Sequence, residues 1–280
     1  MDYFSAIKRY RSAYKNWLWV IIGSALRLEP LNANLRNGKT LKLNHRDIWA
    51  VSLFIASGLQ VEDIKPESAD LIYKGRKLNI HGWNSGGIWS SFSDYGWVQP
   101  KGRRVLDIGA SIGDSAIFFV LNGAQSVCAL EPYPYPFRLA QMNLRSNGIE
   151  NVTLINAGVG RSECDVMLTM GETNSSSRIR PQSKEGISVP MHKLDWVIEN
   201  YGPFDTMKMD CEGCEYDAIL ESAKIKEIPR IQLEYHYGFE SLKQKFQCEG
   251  YEVRTTKSRR VNDHGPLPEM HIGYLYAVKS

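Results

Sequence analysis

Asp210, Glu212 and His236 carry the side chains of this sequence best suited to moving a proton, and each follows a short apolar segment. Asp210 and Glu212 come directly after 206–209, and His236 comes after 230–234. If both segments are strands of one sheet, their ends open onto a common crevice. An imidazole, with an ordinary pKa of about 6.5, suits a general base that removes the proton of an alcohol and so makes its oxygen a nucleophile. Asp210 and His236 are the first candidates for that work, with Asp210 or Glu212 orienting the ring or accepting the proton itself; Asp210 is also a candidate contact to a bound cofactor. Groups of these types could hold a divalent ion, yet no spacing demands one and no metal is expected. Cys211 and Cys214 form a C-x-x-C pair. With no second pair to complete a zinc site, they read as two small buried thiols beside a helix start.

A second constellation runs from Val105 to Asp114 as VLDIGASIGD. An apolar strand passes into a tight turn of small residues and then a helix, so Gly109, Ala110, Ser111, Gly113 and Asp114 define a place where a ligand meets backbone and free N–H groups. The spacing G-x-x-x-G is not the dinucleotide fingerprint. Asp107, placed before the first glycine, would repel a pyrophosphate but suits the sulfonium and ammonium of S-adenosylmethionine. Glu131, followed by Pro132 at the end of the next strand, is positioned to accept two ribose hydroxyls. Asn156 and Ala157 close the third strand, where small and amide groups can flank an adenine edge.

The elements that must position these residues are strands at 104–108, 126–130, 152–156, 206–209, 230–234, 251–255 and 273–278. Helical stretches at 114–122, 137–147 and 215–221 alternate with the earlier strands, which predicts a parallel α/β sheet covered on both faces. The last two strands are joined by a Gly, Pro and His-bearing loop, 262–271, and should pair antiparallel. The expected fold is a Rossmann-like, mostly parallel seven-stranded sheet with an antiparallel last strand. Residues 1–99 read as a leader of helices and short strands with turns at Asn37-Gly38 and Lys74-Gly75, and 100–280 as the main domain. A polar loop at 173–190, with Arg178 and Arg180, is a candidate acceptor contact. Trp83, Trp89 and Trp97 are either sugar-stacking or core residues.

With 43% hydrophobic and 23% charged residues among 280, the chain has the composition of a folded globular protein. A formal charge of +3 is too small and dispersed for a nucleic-acid binder, so a small-molecule acceptor is expected. Five cysteines at scattered positions favour reduced thiols and a cytoplasmic location. The apolar run 17–28 lacks a cleavage site and is too short and interrupted to span a bilayer, but basic residues beside it allow peripheral contact with an anionic membrane. Packing on the main domain or in a homo-oligomer is the alternative use of that run.

Five ordered segments, VLDIGASIGDSA, ALEPYPYPF, LINAGVG, MKMDCEGCEYDAIL and IQLEYH, give the chain a resemblance to the FkbM family of methyltransferases over about 97–279. Ser111 stands where many relatives carry Asn. The resemblance implies S-adenosylmethionine as cofactor and O-methylation, often of carbohydrates or natural products. Two other readings of the same residues are a nicotinamide-dependent oxidoreductase, which would share Glu131, and a non-catalytic protein of membrane surfaces.

Overall fold

The computed structural model describes residues 3–84, 88–168, 186–261 and 269–279. The chain divides into two units, Met1–Asp94 with Arg145–Gly148, and Tyr95–Leu144 with Ile149–Ser280.

The first unit contains helices α1 (Tyr3–Ala13), α2 (Trp17–Ala25), α3 (His45–Ala56) and α4 (Ile88–Asp94). Its strands form a hairpin, β1 (Leu31–Asn34) with β2 (Thr40–Leu43), and a three-stranded meander, β3 (Gln60–Ile64), β4 (Ser68–Tyr73) and β5 (Arg76–His81). Both turns anticipated from sequence are present, and Lys74 and Gly75 take the paired positive φ angles that a two-residue hairpin requires. Asn44 and Asp47 start α3 with a reciprocal capping box. Trp83 is buried and its indole N–H donates to the Lys65 carbonyl, so it is a core residue of this unit. In α2 only Val20 and Gly23 are buried, while Leu18, Trp19 and Ile22 are exposed.

The second unit is built on a sheet whose strands are β6 (Arg104–Ile108), β7 (Ser126–Leu130), β8 (Val152–Ile155), β12 (Thr206–Met209), β13 (Arg230–Tyr235), β14 (Glu252–Thr255) and β16 (Met270–Val278). Their order is β14-β16-β13-β12-β6-β7-β8; β16 alone runs against its neighbours β13 and β14. This is the mostly parallel, seven-stranded Rossmann-like sheet expected. β15 (Arg259–Val261) adds an edge pairing with β16, which begins three residues earlier than its apolar run suggests. Helices α5 (Asp114–Leu121) and α6 (Pro134–Ser146) make the crossovers from β6 to β7 and β7 to β8. After β8 the chain returns to the far side of β6 to lay down β12, so the order reverses between β6 and β12 and a crevice opens at their carboxyl ends.

That return passes through a small sheet of β9 (Gly158–Gly160), β10 (Cys164–Leu168) and β11 (Ile187–Lys193), followed by α7 (Leu194–Tyr201). The loop expected at 173–190 therefore ends in a strand, with Val189 buried against Val166 across the β10–β11 ladder. Its portion 173–185, including Arg178 and Arg180, lies outside the described residues, as do the side chain of Trp89 and 262–268 of the final loop. Helices α8 (Glu215–Glu221) and α9 (Glu240–Cys248) complete the unit. One apolar core joins Leu106, Met207, Ile231 and Leu275 of the sheet to Val197, Ile219 and Phe246 of α7, α8 and α9. Among the described residues no helix is long and apolar enough to cross a membrane.

Candidate active site

Central parallel strands are apolar on both faces, and β6 and β12 obey that rule except for one row. Asp107 and Lys208 are Cα partners across the β6–β12 ladder, so their side chains emerge side by side on one face. Both are essentially inaccessible, at 0% and 2% exposure, and their charges meet at 3.2 Å. Ser115 Oγ donates to the other Asp107 oxygen at 2.6 Å, and Lys208 Nζ also donates to the Gly109 carbonyl at 2.6 Å. Burial acts to lower the Lys208 pKa, but Asp107 and Asp210 outweigh it and the ammonium is held charged. Asp107 is thus engaged by the protein's own cation. The sulfonium contact expected of Asp107 would therefore compete with this ion pair, the nearest partner the ladder supplies to a buried carboxylate.

Beyond β6, Gly109, Ser111 and Gly113 all take positive φ. Gly109 is required by contact as well as by φ: a Cβ there would lie 1.7 Å from the carbonyl oxygen of Asp210. The β6 and β12 turns therefore touch at the switch point. The N–H groups of Gly109 and Ala110 both donate to the Leu130 carbonyl, which fixes the turn to the end of β7. Gly113 packs on Ala140 of α6, and buried Asp114 opens α5.

Glu131 extends this clamp. One of its oxygens accepts the Ser111 N–H at 2.8 Å and the other the Tyr133 N–H at 2.8 Å. Each oxygen keeps a further lone pair, which fits acceptance of a ribose diol. Burial pushes the carboxyl up to about 7 against the pull of those two N–H donors. Asn156 spends its amide on the carbonyls of Glu131 and Pro132, at 2.9 and 3.0 Å, so it braces the β7 end, and Ala157 is fully buried beside it. The paired acceptor of Glu131 beside a turn of small residues fits a nucleoside cofactor.

The β12 and β13 ends bring Asp210, Glu212 and His236 together. His236 is 2% exposed, with Nε2 3.1 Å from Glu212 Oε2 and 3.9 Å from Asp210 Oδ1, and Nδ1 2.9 Å from Glu215 Oε1. Burial opposes its charge, but hydrogen bonds to Glu212 and Glu215 prevail and push the imidazole up to about 11. Both ring nitrogens of His236 thus face carboxylates that favour its protonated form. Glu234, two residues before His236 and on the same strand face, is pushed up to about 8 by burial and then by the charge of Asp210.

Glu212 takes a positive φ of 57°, and its turn is closed by a Cys211–Cys214 disulfide with Cα atoms 5.5 Å apart. The two thiols expected from sequence are thus joined, since the turn sets them within bridging distance. Tyr216 fixes the β13 end by donating to the Gly238 carbonyl and accepting the Tyr237 N–H.

Four residues of this site escaped the sequence reading. Tyr95 donates its hydroxyl to Asp210 Oδ2 at 3.1 Å and lies under Lys208 Nζ, 5.2 Å from its ring centroid. Nothing local in the sequence marks it. Lys208 was legible as the charged interruption of TMKM, and Glu215 and Glu234 as further acids near the same strand ends. Trp97 stacks under Arg230, 4.3 Å from its ring centroid, and beside Tyr276, which makes it a packing residue.

The Methyltransferase FkbM domain matches residues 107–258. No curated protein matches the chain. Among solved structures the chain is similar to Trm5b from Pyrococcus abyssi, at 16% identity over 76% of this chain and 56% of that one with a TM-score of 0.43. It is similar to TYW2 of P. horikoshii in complex with MeSAdo, at 15% identity over 77% and 73% with a TM-score of 0.43. A third is precorrin-6y C5,15-methyltransferase from Geobacter metallireducens, at 16% identity over 64% and 82% with a TM-score of 0.38.

Proposed function

The chain belongs to the FkbM methyltransferase family, and from that premise we propose that it transfers a methyl group from S-adenosylmethionine to a hydroxyl of a sugar, glycan or glycolipid. Membership sets aside the oxidoreductase and non-catalytic alternatives. The observation that carries the finer reading is the convergence of Asp210, Glu212 and His236 beside the glycine turn. An alcohol is a weak nucleophile until its proton is drawn away, and this cluster supplies acceptors at the place where an acceptor molecule would meet the cofactor.

When bound, S-adenosylmethionine supplies a methyl carbon activated by its sulfonium. Glu131 would receive the ribose hydroxyls, the turn from Gly109 to Gly113 would admit the nucleoside close to backbone, and Asn156 and Ala157 would shape the adenine side. Asp210, held by Tyr95, takes the proton of the acceptor hydroxyl. The bound cofactor would supply the methyl carbon to the acceptor oxygen and retain the displaced electron pair on sulfur as a neutral thioether. His236 lies between Glu212 and Glu215 and holds both in register. Alignment of the two reactants accounts for most of the rate.

A lipid-linked acceptor is favoured by the first unit. Ile7, Leu18, Trp19, Ile22 and Leu26 are exposed, and Lys8, Arg11 and Lys15 are exposed beside them. Apolar side chains flanked by cations suit an anionic membrane surface.

The test is incubation of the full chain with methyl-labelled S-adenosylmethionine and a panel of glycans, nucleotide sugars and glycolipids, with products located by mass spectrometry. Label on an oxygen is expected, and Asp210→Asn should lower kcat by about 10²–10⁴-fold while calorimetry still detects cofactor binding. Label on nitrogen or carbon, or an Asp210→Asn variant with unaltered kcat, contradicts the reading. Trp19→Glu should reduce cosedimentation with phosphatidylserine vesicles and leave transfer to a soluble glycan unchanged.

A further inference from the structure

We propose that Asp210, Glu212 and His236 form a binding site for a divalent cation of the Mg²⁺/Mn²⁺ class, which would engage the acceptor hydroxyl. Only the cation's role rests on the O-methyl-transfer reading; its binding does not.

Three donor atoms from two strand ends, all within 4.8 Å of one another, face a single point. Cations of this class bind at about 2.0–2.2 Å, which sets neighbouring and opposed donors about 3 to 4.3 Å apart, so the site needs only a slight contraction. His236 Nε2 already stands 3.1 and 3.9 Å from its two carboxylate neighbours.

The arrangement around those donors is independent of their spacing. Asp210 Oδ1 is a buried oxygen with no hydrogen-bond donor, while Tyr95 holds the other oxygen and so aims Oδ1 into the cluster. A buried acceptor left in that condition is costly unless a cation satisfies it. On the far side of the imidazole, Glu215 is wholly buried and binds Nδ1, which turns Nε2 toward the cluster. A carboxylate on the outer ring nitrogen is the usual support of a metal-binding histidine. Glu215 Oε2 is likewise buried without a hydrogen-bond partner, so the region carries more anionic capacity than its donors satisfy.

Charge points the same way. Asp210, Glu212, Glu215 and Glu234 surround one imidazole, and the nearest buried cation, Lys208, is held by Asp107 and the Gly109 carbonyl. The disulfide on either side of Glu212 limits the freedom of the turn that carries it. Three protein donors leave positions for water and for an acceptor oxygen. A hydroxyl bound there would give up its proton to Asp210 more readily, and the cofactor would then supply the methyl carbon and leave as the thioether.

The test uses the full chain stripped with a chelator and titrated with Mn²⁺ alone, without cofactor or acceptor, followed by electron paramagnetic resonance and calorimetry. One Mn²⁺ per chain is expected, with nitrogen coupling from His236 in the pulsed spectrum. Glu212→Gln should weaken binding at least about tenfold, and Glu215→Gln, which alters only the support of the ring, by about 10–100-fold. Glu163→Gln, a carboxylate paired with His192, should leave it unchanged. Melting curves identify any variant that fails to fold; in that event the nitrogen coupling of the unaltered chain decides the matter. Absence of saturable uptake, absence of nitrogen coupling, or uptake indifferent to Glu212→Gln and Glu215→Gln overturns the site. Full-rate methyl transfer to a hydroxyl in chelator overturns the cation's role and leaves O-methylation standing. Tight Mn²⁺ binding without hydroxyl methylation upholds the site and counts against the function reading alone.

Discussion

The two halves of the sheet edge, β6–β7 and β12–β13, use the same local device and end in opposite electrostatic states. In each, an apolar strand runs into a turn with positive φ and then a helix, and in each the strand ends carry acidic side chains. In the first half the protein answers its own charges: Asp107 has Lys208 and Ser115, and Glu131 has two backbone N–H groups. In the second half Asp210, Glu212 and Glu215 meet one imidazole; Asp107 Oδ1 and Asp210 Oδ1 both lack a hydrogen-bond donor, but only Asp107 Oδ1 faces a lysine, at 3.2 Å. On the proposed function, the first half would offer a fixed surface to a largely neutral nucleoside. The unsatisfied half keeps affinity for something positive, whether a proton, a sulfonium or a metal ion. Folding stability resides in the first arrangement and chemical potential in the second.

The two halves are joined where Gly109 meets the Asp210 carbonyl, so the largest effect is expected there. Gly109→Ala would place a methyl group 1.7 Å from backbone oxygen and force a side chain onto φ 78°. Neither turn can retreat without giving up its strand, and a loss of about 5 kcal/mol or more is expected in urea denaturation, close to the whole stability of a domain. Gly102→Ala provides the contrast. Its φ of 70° is similar, but nothing lies within 4 Å of the added methyl, so only the left-handed penalty of about 1–2 kcal/mol applies. Equal losses in the two variants would mean that the turns do not bear on each other.

Next in size is a pair of charge removals. Lys208→Met leaves Asp107 buried without its cation and should cost about 3–5 kcal/mol in the same measurement. Glu234→Gln removes one of several crowded acids and should be neutral or slightly stabilising at pH 7, within about 0.5 kcal/mol. If Lys208→Met is tolerated and Glu234→Gln is not, the assignment of self-satisfied and unsatisfied halves is reversed.

This division also explains what the sequence could disclose. The strands were legible because buried parallel strands are short, apolar and punctuated, and the antiparallel end followed from the missing helix between 255 and 270. The glycine turn, Glu131 and the Asp210–Glu212–His236 grouping were legible because each is tied to a strand end. Pairings across the ladder were not. The contact of Lys208 with Asp107 depends on which strands neighbour each other after the order reverses, and Tyr95 reaches Asp210 across 115 positions of sequence. The surroundings of His236 were hidden for the same reason: its own type suggests a base, while Glu212 and Glu215, which favour its charged form, are brought in by tertiary structure. The small sheet β9–β10–β11 was missed because one strand consists of Gly-Val-Gly and the longest, β11, is interrupted by Pro190.

The smallest expected effect tests whether Glu131 is available to a ligand or is consumed by its two N–H donors. Its carboxyl is raised by burial from an ordinary value of 4.5 to about 7. For the free chain, ionisation is easier once unfolded, so this group's contribution to stability is present below about 4.5 and is lost as pH rises through 7. Cofactor binding carries the opposite sign, since acceptance of both ribose hydroxyls needs the ionised form. The Kd for S-adenosylmethionine should therefore rise as pH falls below 7, by up to about tenfold per unit. Titration calorimetry between pH 5.5 and 8.5, set as a window of roughly 1.5 units either side of that value, reads the slope. Glu131→Gln should bind more weakly throughout and show a flat profile. A slope that persists in that variant assigns the titration to another group, and with it the claim that the first half of the sheet edge meets the ribose through this carboxylate fails.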